Sequence, residues 1–136
     1  MALNLVVEQG YNDRPEVLVR VSRAGAWIDA WAMIDTGAEI SLFDLELASA
    51  LPSLSSIQPD QHINVLGVGG IARRTPFWNV EVLVASLPLR VGLPIGLVPE
   101  LAKSTGNLLG RDFLESVHVG LDQRNRLLYL GRAAGG

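Results

Sequence analysis

Apolar runs in this sequence are short, and each ends within a few residues at Gly, Pro, Asn or Asp. Residues 3–7 and 17–21 are β-branched runs separated by Gly10, Asn12, Asp13 and Pro15, the pattern of a hairpin-like pair. From Ala26 to Asp35 the chain alternates. Ala26, Ile28, Ala30, Ala32 and Ile34 face one way, and Trp27, Asp29, Trp31, Met33 and Asp35 the other. Apolar groups on both faces predict a largely buried strand, which runs straight into the turn Thr36-Gly37. Residues 40–43 read as a short strand, with Asp44 as N-cap of a helix over 45–50 that Leu51-Pro52 closes. Residues 53–60 read as a loop.

Further on, residues 62–66 and 75–84 are strands around a glycine-rich tip, Gly67-Val68-Gly69-Gly70, which makes a long hairpin. Pro88 and Pro94 interrupt the apolar stretch 87–97 and predict an edge or irregular strand. Residues 112–116 suit one or two helical turns, and 117–121 with 126–130 close the chain as a hairpin. About ten short strands and two short helices predict a mostly β, barrel-like single domain over residues 1–136. With 136 residues and 49% hydrophobic content, such a domain can bury a sizeable core.

Charge and composition exclude several functions. Eleven Lys+Arg stand against 14 Asp+Glu, and Arg73-Arg74 is the one adjacent basic pair, so no nucleic-acid partner is expected. No cysteine is present, which removes disulfides, thiolate metal sites and a cysteine nucleophile. His62 and His118 lack metal-site spacing, so no metal or cofactor is expected. Without a basic leader or an apolar stretch of roughly 18 residues, the expectation is a cytoplasmic chain with no membrane partner.

Three segments carry candidate chemistry. Asp35 ends a strand and has apolar neighbours on both sides, where an ionised carboxylate is expensive to hold. Gly67-Val68-Gly69-Gly70-Ile71-Ala72 fits a dinucleotide fingerprint in letters only, because a strand follows it instead of a helix. Leu108-Leu109-Gly110-Arg111-Asp112 reads as a strand end leading into a helix. Its Arg111 needs a carboxylate partner, with Glu39, Asp112 and Asp122 as the choices. Trp27, Trp31 and Trp78 read as core or interface anchors.

In this order and spacing, the three segments resemble the retropepsin-like aspartic proteases. Ala32-Met33-Ile34-Asp35-Thr36-Gly37-Ala38-Glu39 is similar to the family's active-site segment, Gly67-Val68-Gly69-Gly70-Ile71 to its flap tip, and Asn107 through Leu114 to its late segment. The C-terminal hairpin is more like the cellular and bacterial members than the viral ones, while 84–99 has no clear counterpart.

The resemblance implies a closed acid-protease barrel with a β-hairpin flap, and an endopeptidase acting on peptide or protein substrates. A single Asp-Thr-Gly implies a homodimer with Asp35 from each chain on the two-fold axis. Thr36 and Gly37 would support the site. Ala38, Glu39, Gly69, Gly70, Ile71 and Leu108 would contact substrate, and Arg111 would pair with Glu39. Ala38 supplies no hydroxyl to the carboxylate, which predicts activity at mildly acidic pH. The alternative is a non-catalytic dimerisation or peptide-binding module of the same fold.

Overall fold

The computed structural model describes residues 6–56, 58–66, 70–84 and 89–132. Its strands are β1 (Val6–Gly10), β2 (Glu16–Arg23), β3 (Ala26–Ile34), β4 (Ser41–Asp44), β5 (Gln61–Leu66), β6 (Ala72–Val84), β7 (Arg90–Val98), β8 (Leu108–Leu109), β9 (Val117–Asp122) and β10 (Leu127–Arg132). Single-turn helices α1 (Leu47–Ala50), α2 (Ser53–Ser56) and α3 (Arg111–Leu114) and a 3-10 turn (Leu101–Lys103) join them. Among the described residues, no helix is long and apolar enough to cross a membrane.

Alternation drives the main sheet. In β2, Val17, Val19 and Val21 point inward and are fully buried. They meet Val80, Val82 and Val84 of β6, and Val91, Leu93, Ile95 and Leu97 of β7 in one core. Each such side chain contributes about 1.5–3 kcal/mol on burial. Strands β2, β3, β8, β4, β7 and β6 pair in that order, and β2 pairs back onto β6, so the ring of pairings closes. β2 and β3 turn through Ala24 and Gly25, both at positive φ (51° and 82°), a geometry that matches the twist of the flanking strands. β1, β10 and β9 form a separate antiparallel sheet.

Several expectations are corrected here. The first strand does not pair with residues 17–21: β1 pairs with β10, and Tyr11 N donates to Arg126 O at its end. Of the run 3–7, residues 3–5 lie outside the described part. β3 is not buried on both faces, since Trp27 and Trp31 are each 55% exposed, while Trp78 is buried. Trp27 gains a partner on that open face: the Arg20 guanidinium lies 3.7 Å from its ring centroid and also bonds Asp29.

The helix expected over 45–50 begins only at Leu47, with no side-chain cap. Asp44 instead accepts from Glu46 N and Ala102 N, fastening two loops. The expected loop 53–60 contains α2. The last helix is Arg111–Leu114, earlier than 112–116, because Gly110 closes against residues 38–40 and starts it there.

β7 is no edge strand, since it lies between β4 and β6. Pro94 is tolerated because its partner in β6, Asn79, turns both main-chain groups away from it, to Asp60 and Arg23. Pro94 also falls one residue before the stretch of β7 that pairs with β4.

Candidate active site

Two apolar residues near the C-terminus set the geometry around Asp35. β8 inserts between β3 and β4, parallel to β3 through Met33↔Leu108 and Ile34↔Leu109, and opposite Leu42 of β4. Asp35 N donates to Leu109 O at 3.0 Å, so the aspartate itself makes the last main-chain bond of this insertion. Its carboxylate turns back on the loop, where Oδ1 accepts from Gly37 N at 2.9 Å. A Cβ on Gly37 would stand 3.3 Å from that oxygen, so a larger residue would press on the carboxylate. Asp35 is half-buried, and Thr36 and Gly37 beside it are exposed. A concave strip of the chain's surface lies elsewhere, along Arg20, Arg23, Trp27, Asn79 and Arg90.

Behind the turn, residues 38–41 pack directly on 110–113. Arg111 N donates to Ala38 O at 2.8 Å. A Cβ on Gly110 would come within 2.5 Å of Ile40 O, so only glycine lets the two segments meet. Ser41 is fully buried, and its hydroxyl donates to Asp112 Oδ1 (2.7 Å) while accepting from Gly110 N (3.1 Å). Asp112 takes further bonds from Ser41 N and Phe113 N. Its carboxylate is therefore satisfied by the Ser41 hydroxyl and two main-chain N–H groups and not by Arg111.

Arg111 Nη2 lies 3.3 Å from Glu39 Oε1. With side chains 57% and 81% exposed, this pair contributes about 0–1 kcal/mol. Of the three carboxylates the sequence offers Arg111, Glu39 is the partner, and the pair lies at the surface.

Leu108 and Leu109 are buried. Asn107, just before them, stitches the insertion to both neighbours: its side chain donates to Trp31 O (3.0 Å) and accepts from Asp44 N (2.8 Å). Sequence pattern alone assigns no role to Ser41 or Asn107, and it offers Asp112 only as a partner for Arg111. A polar residue inside the strand signal at Ser41 is the one available hint.

The flap-like hairpin is β5 and the first part of β6, registered from Gln61↔Phe77 to Leu66↔Ala72. Gly70, at φ 77°, and Ile71, 67% exposed, stand at its end with Leu66, 72% exposed. Gly69 and the rest of 67–69 lie outside the described residues. The structure thus brings Asp35, Thr36, Gly37, Ala38 and Glu39 together with Leu108 and Arg111, and sets Gly70 and Ile71 on a separate ribbon.

Comparison with known proteins agrees with this geometry. The family model for retroviral aspartyl protease matches residues 11–122. The Gag polyprotein of avian leukosis virus subgroup A is 28% identical over 128 residues, which cover 88% of this chain. The chain spans 18% of that polyprotein and 8% of the matching Gag-Pol polyprotein. In fold it is similar to a retropepsin-like aspartic protease from Rickettsia conorii, at TM-score 0.65 and 17% identity, over 96% of this chain and 94% of that one. It is also similar to the retroviral protease-like domain of Ddi1 from Leishmania major, at TM-score 0.51 and 14% identity, over 83% and 86% of the two chains. Its matched segment takes in the strand ring, the Asp-Thr-Gly turn and the inserted Leu108-Leu109 pair, and the chain belongs to the retroviral aspartyl protease family.

Proposed function

We propose that this chain is half of an aspartic endopeptidase, with Asp35 as its catalytic carboxylate and a second copy supplying the other. The observation that carries this reading is the one Asp-Thr-Gly of a family member, set at a strand end with its main chain fixed by Leu109 and its carboxylate by Gly37 N–H. One carboxylate cannot serve as both acid and base. A two-fold axis through the exposed Thr36-Gly37 turn would bring two together.

Two carboxyls about 3 Å apart share one proton, because both cannot be ionised at that distance. Aspartic proteases are the standard instance of such a dyad, whose titration belongs to the pair and to neither residue alone. The ionised member takes a proton from the water between them as its oxygen attacks the peptide carbonyl carbon. The protonated member donates its proton to the carbonyl oxygen. Collapse of the tetrahedral species breaks the C–N bond as the carboxyl that took the water proton passes it to the leaving nitrogen, while one hydroxyl of that species returns its proton to the other carboxylate and restores the shared proton. Two chain ends, an acid and an amine, result.

Thr36 would bond across the axis, and Gly37 would admit the substrate backbone. Ala38 and Glu39 would line the floor with Leu108, and Arg111 would brace Glu39 from outside. Gly69, Gly70 and Ile71 would close over an extended peptide and exclude water. The lack of a hydroxyl at Ala38 favours an optimum at mildly acidic pH, above about pH 3.

The test is cleavage of unfolded casein between about pH 3 and pH 7 by the chain and by Asp35→Asn. The substitution should lower the rate by about a thousandfold or more. Cleavage unaffected by it, or blocked by a serine-protease reagent, would sink the assignment. Peptide binding without turnover would favour a binding module.

A further inference from the structure

β6 changes neighbours halfway along its length. On one edge it pairs with β7 from Phe77 to Leu83. On the other it pairs first with β5, from Ala72 to Phe77, and later with β2, from Glu81 to Val84. Residues 78–80 lie in the gap between those two partners, and the main-chain groups of Asn79 face into it. Two side chains fill the gap. Asn79 N donates to Asp60 Oδ2 at 2.7 Å, and Arg23 Nη1 donates both to Asn79 O at 2.6 Å and to Asp60 Oδ2 at 3.0 Å. Asp60 N in turn donates to Phe77 O at 2.9 Å.

This knot lies where the β5–β6 ribbon leaves the sheet. Beyond it, β5 pairs only with β6, and residues 70–74 are exposed. Isolated two-stranded ribbons are marginal in water, so the root sets how the ribbon stands. The Arg23 side chain is 18% exposed and that of Asp60 35%, so solvent screens the pair in part, and the grip rests on the hydrogen bonds to Asn79 as much as on charge. The Asn79 N–H, and then Arg23, hold the Asp60 carboxyl below the usual carboxylate range, as bonds to its charged form should. Arg23 stands beside the Ala24-Gly25 turn, and the nine-residue β3 separates that turn from Asp35 by about 30 Å. The knot therefore stands clear of the reacting atoms at Asp35.

We propose that Asp60, gripped by Arg23 and the Asn79 N–H, is a positioning residue that fixes the angle of the β5–β6 ribbon and so controls substrate capture. This rests on the protease reading, in which the ribbon closes over the peptide. Removing the grip leaves the floor around Asp35 unchanged and lets the ribbon swing. The effect should fall on KM and not on the chemical step.

The experiment combines hydrogen exchange with steady-state peptide cleavage for the whole chain and for Asp60→Ala, Asp60→Asn and Arg23→Met. In Asp60→Ala, amides of residues 61–66 and 72–77 should exchange about tenfold faster, with those of β2, β7 and β9 unchanged. KM should rise about tenfold with kcat within about twofold. Asp60→Asn keeps an oxygen for the Asn79 N–H and should fall between wild type and Asp60→Ala. Arg23→Met, which keeps the aliphatic stem, should reproduce the loss.

Unchanged exchange in the ribbon, or faster exchange throughout the molecule, overturns the proposal. So does a loosened ribbon with KM unaltered. A wild-type chain that cleaves nothing overturns the protease reading and the link to substrate, whereas the exchange pattern still decides whether Asp60 holds the ribbon.

Discussion

Residues 33–41 and 107–113 are knitted into each other by main-chain bonds and by the bond from buried Ser41 to half-buried Asp112. Residues 62–66 and 72–76, by contrast, pair only with each other and leave the sheet at one knot, Asp60 with Arg23 and Asn79. To move Asp35, several contacts of the first region would have to break together. The second hangs on a few hydrogen bonds at its root. The proposed hydrolytic site would use both properties, a fixed carboxylate and a cover that opens to admit a chain.

The contrast can be broken first at Gly110. Gly110→Ala places a Cβ 2.5 Å from Ile40 O and should destabilise the chain by about 2–3 kcal/mol. Urea unfolding would show this as a lower midpoint at unchanged m-value. A loss below about 0.5 kcal/mol would mean that the two segments separate easily, and the rigid floor would be wrong. Asp112→Ala comes next. It strands the Ser41 hydroxyl and two main-chain N–H groups, at a cost of about 2 kcal/mol. Asp112→Asn, which retains an acceptor, should recover part of that loss in the same assay.

Acidification sharpens the comparison with a smaller effect. Arg20 holds the Asp29 carboxyl low; the Asn79 N–H and then Arg23 do so for Asp60, and the Asn125 side chain and N–H for Asp122. A carboxyl lowered by folding stabilises fully above its unfolded value, about 3.9, and that stability is lost as pH falls through the lower folded value. All three groups sit outside the knitted floor. Below about pH 4, protection factors, with the intrinsic slowing of amide exchange in acid removed, should therefore fall at the ribbon root before they do at residues 33–41. The reverse order would contradict the division.

Much of this was legible from local pattern. The alternating valines of β2 and the run into Asp35 gave strands, and the glycine tip between residues 66 and 72 gave a hairpin. What escaped depends on partners distant in sequence. β1 prefers β10 to the nearby β2, which no local signal could reveal. Trp27 and Trp31 look like core in one dimension, and only the sheet's closure shows that their side faces outward. The work of Asp112 was hidden for the same reason. Its partner Ser41 is 71 positions away, while Arg111 is adjacent and wrongly inviting. Pro94 suggested an edge because proline has no N–H for a ladder, and it sits inside the sheet because its neighbour's bonds run to Asp60 and Arg23, side chains that the strand pattern does not contain.

The claim that the site needs an Asp35 from each of two chains is tested most directly by mixing wild type with Asp35→Asn at fixed total concentration. If the active species is a dimer with one carboxylate from each chain, an equal mixture retains about one quarter of the wild-type rate, because only one random pair in four carries both. A rate of about one half would contradict the account, since each chain would then be acting alone.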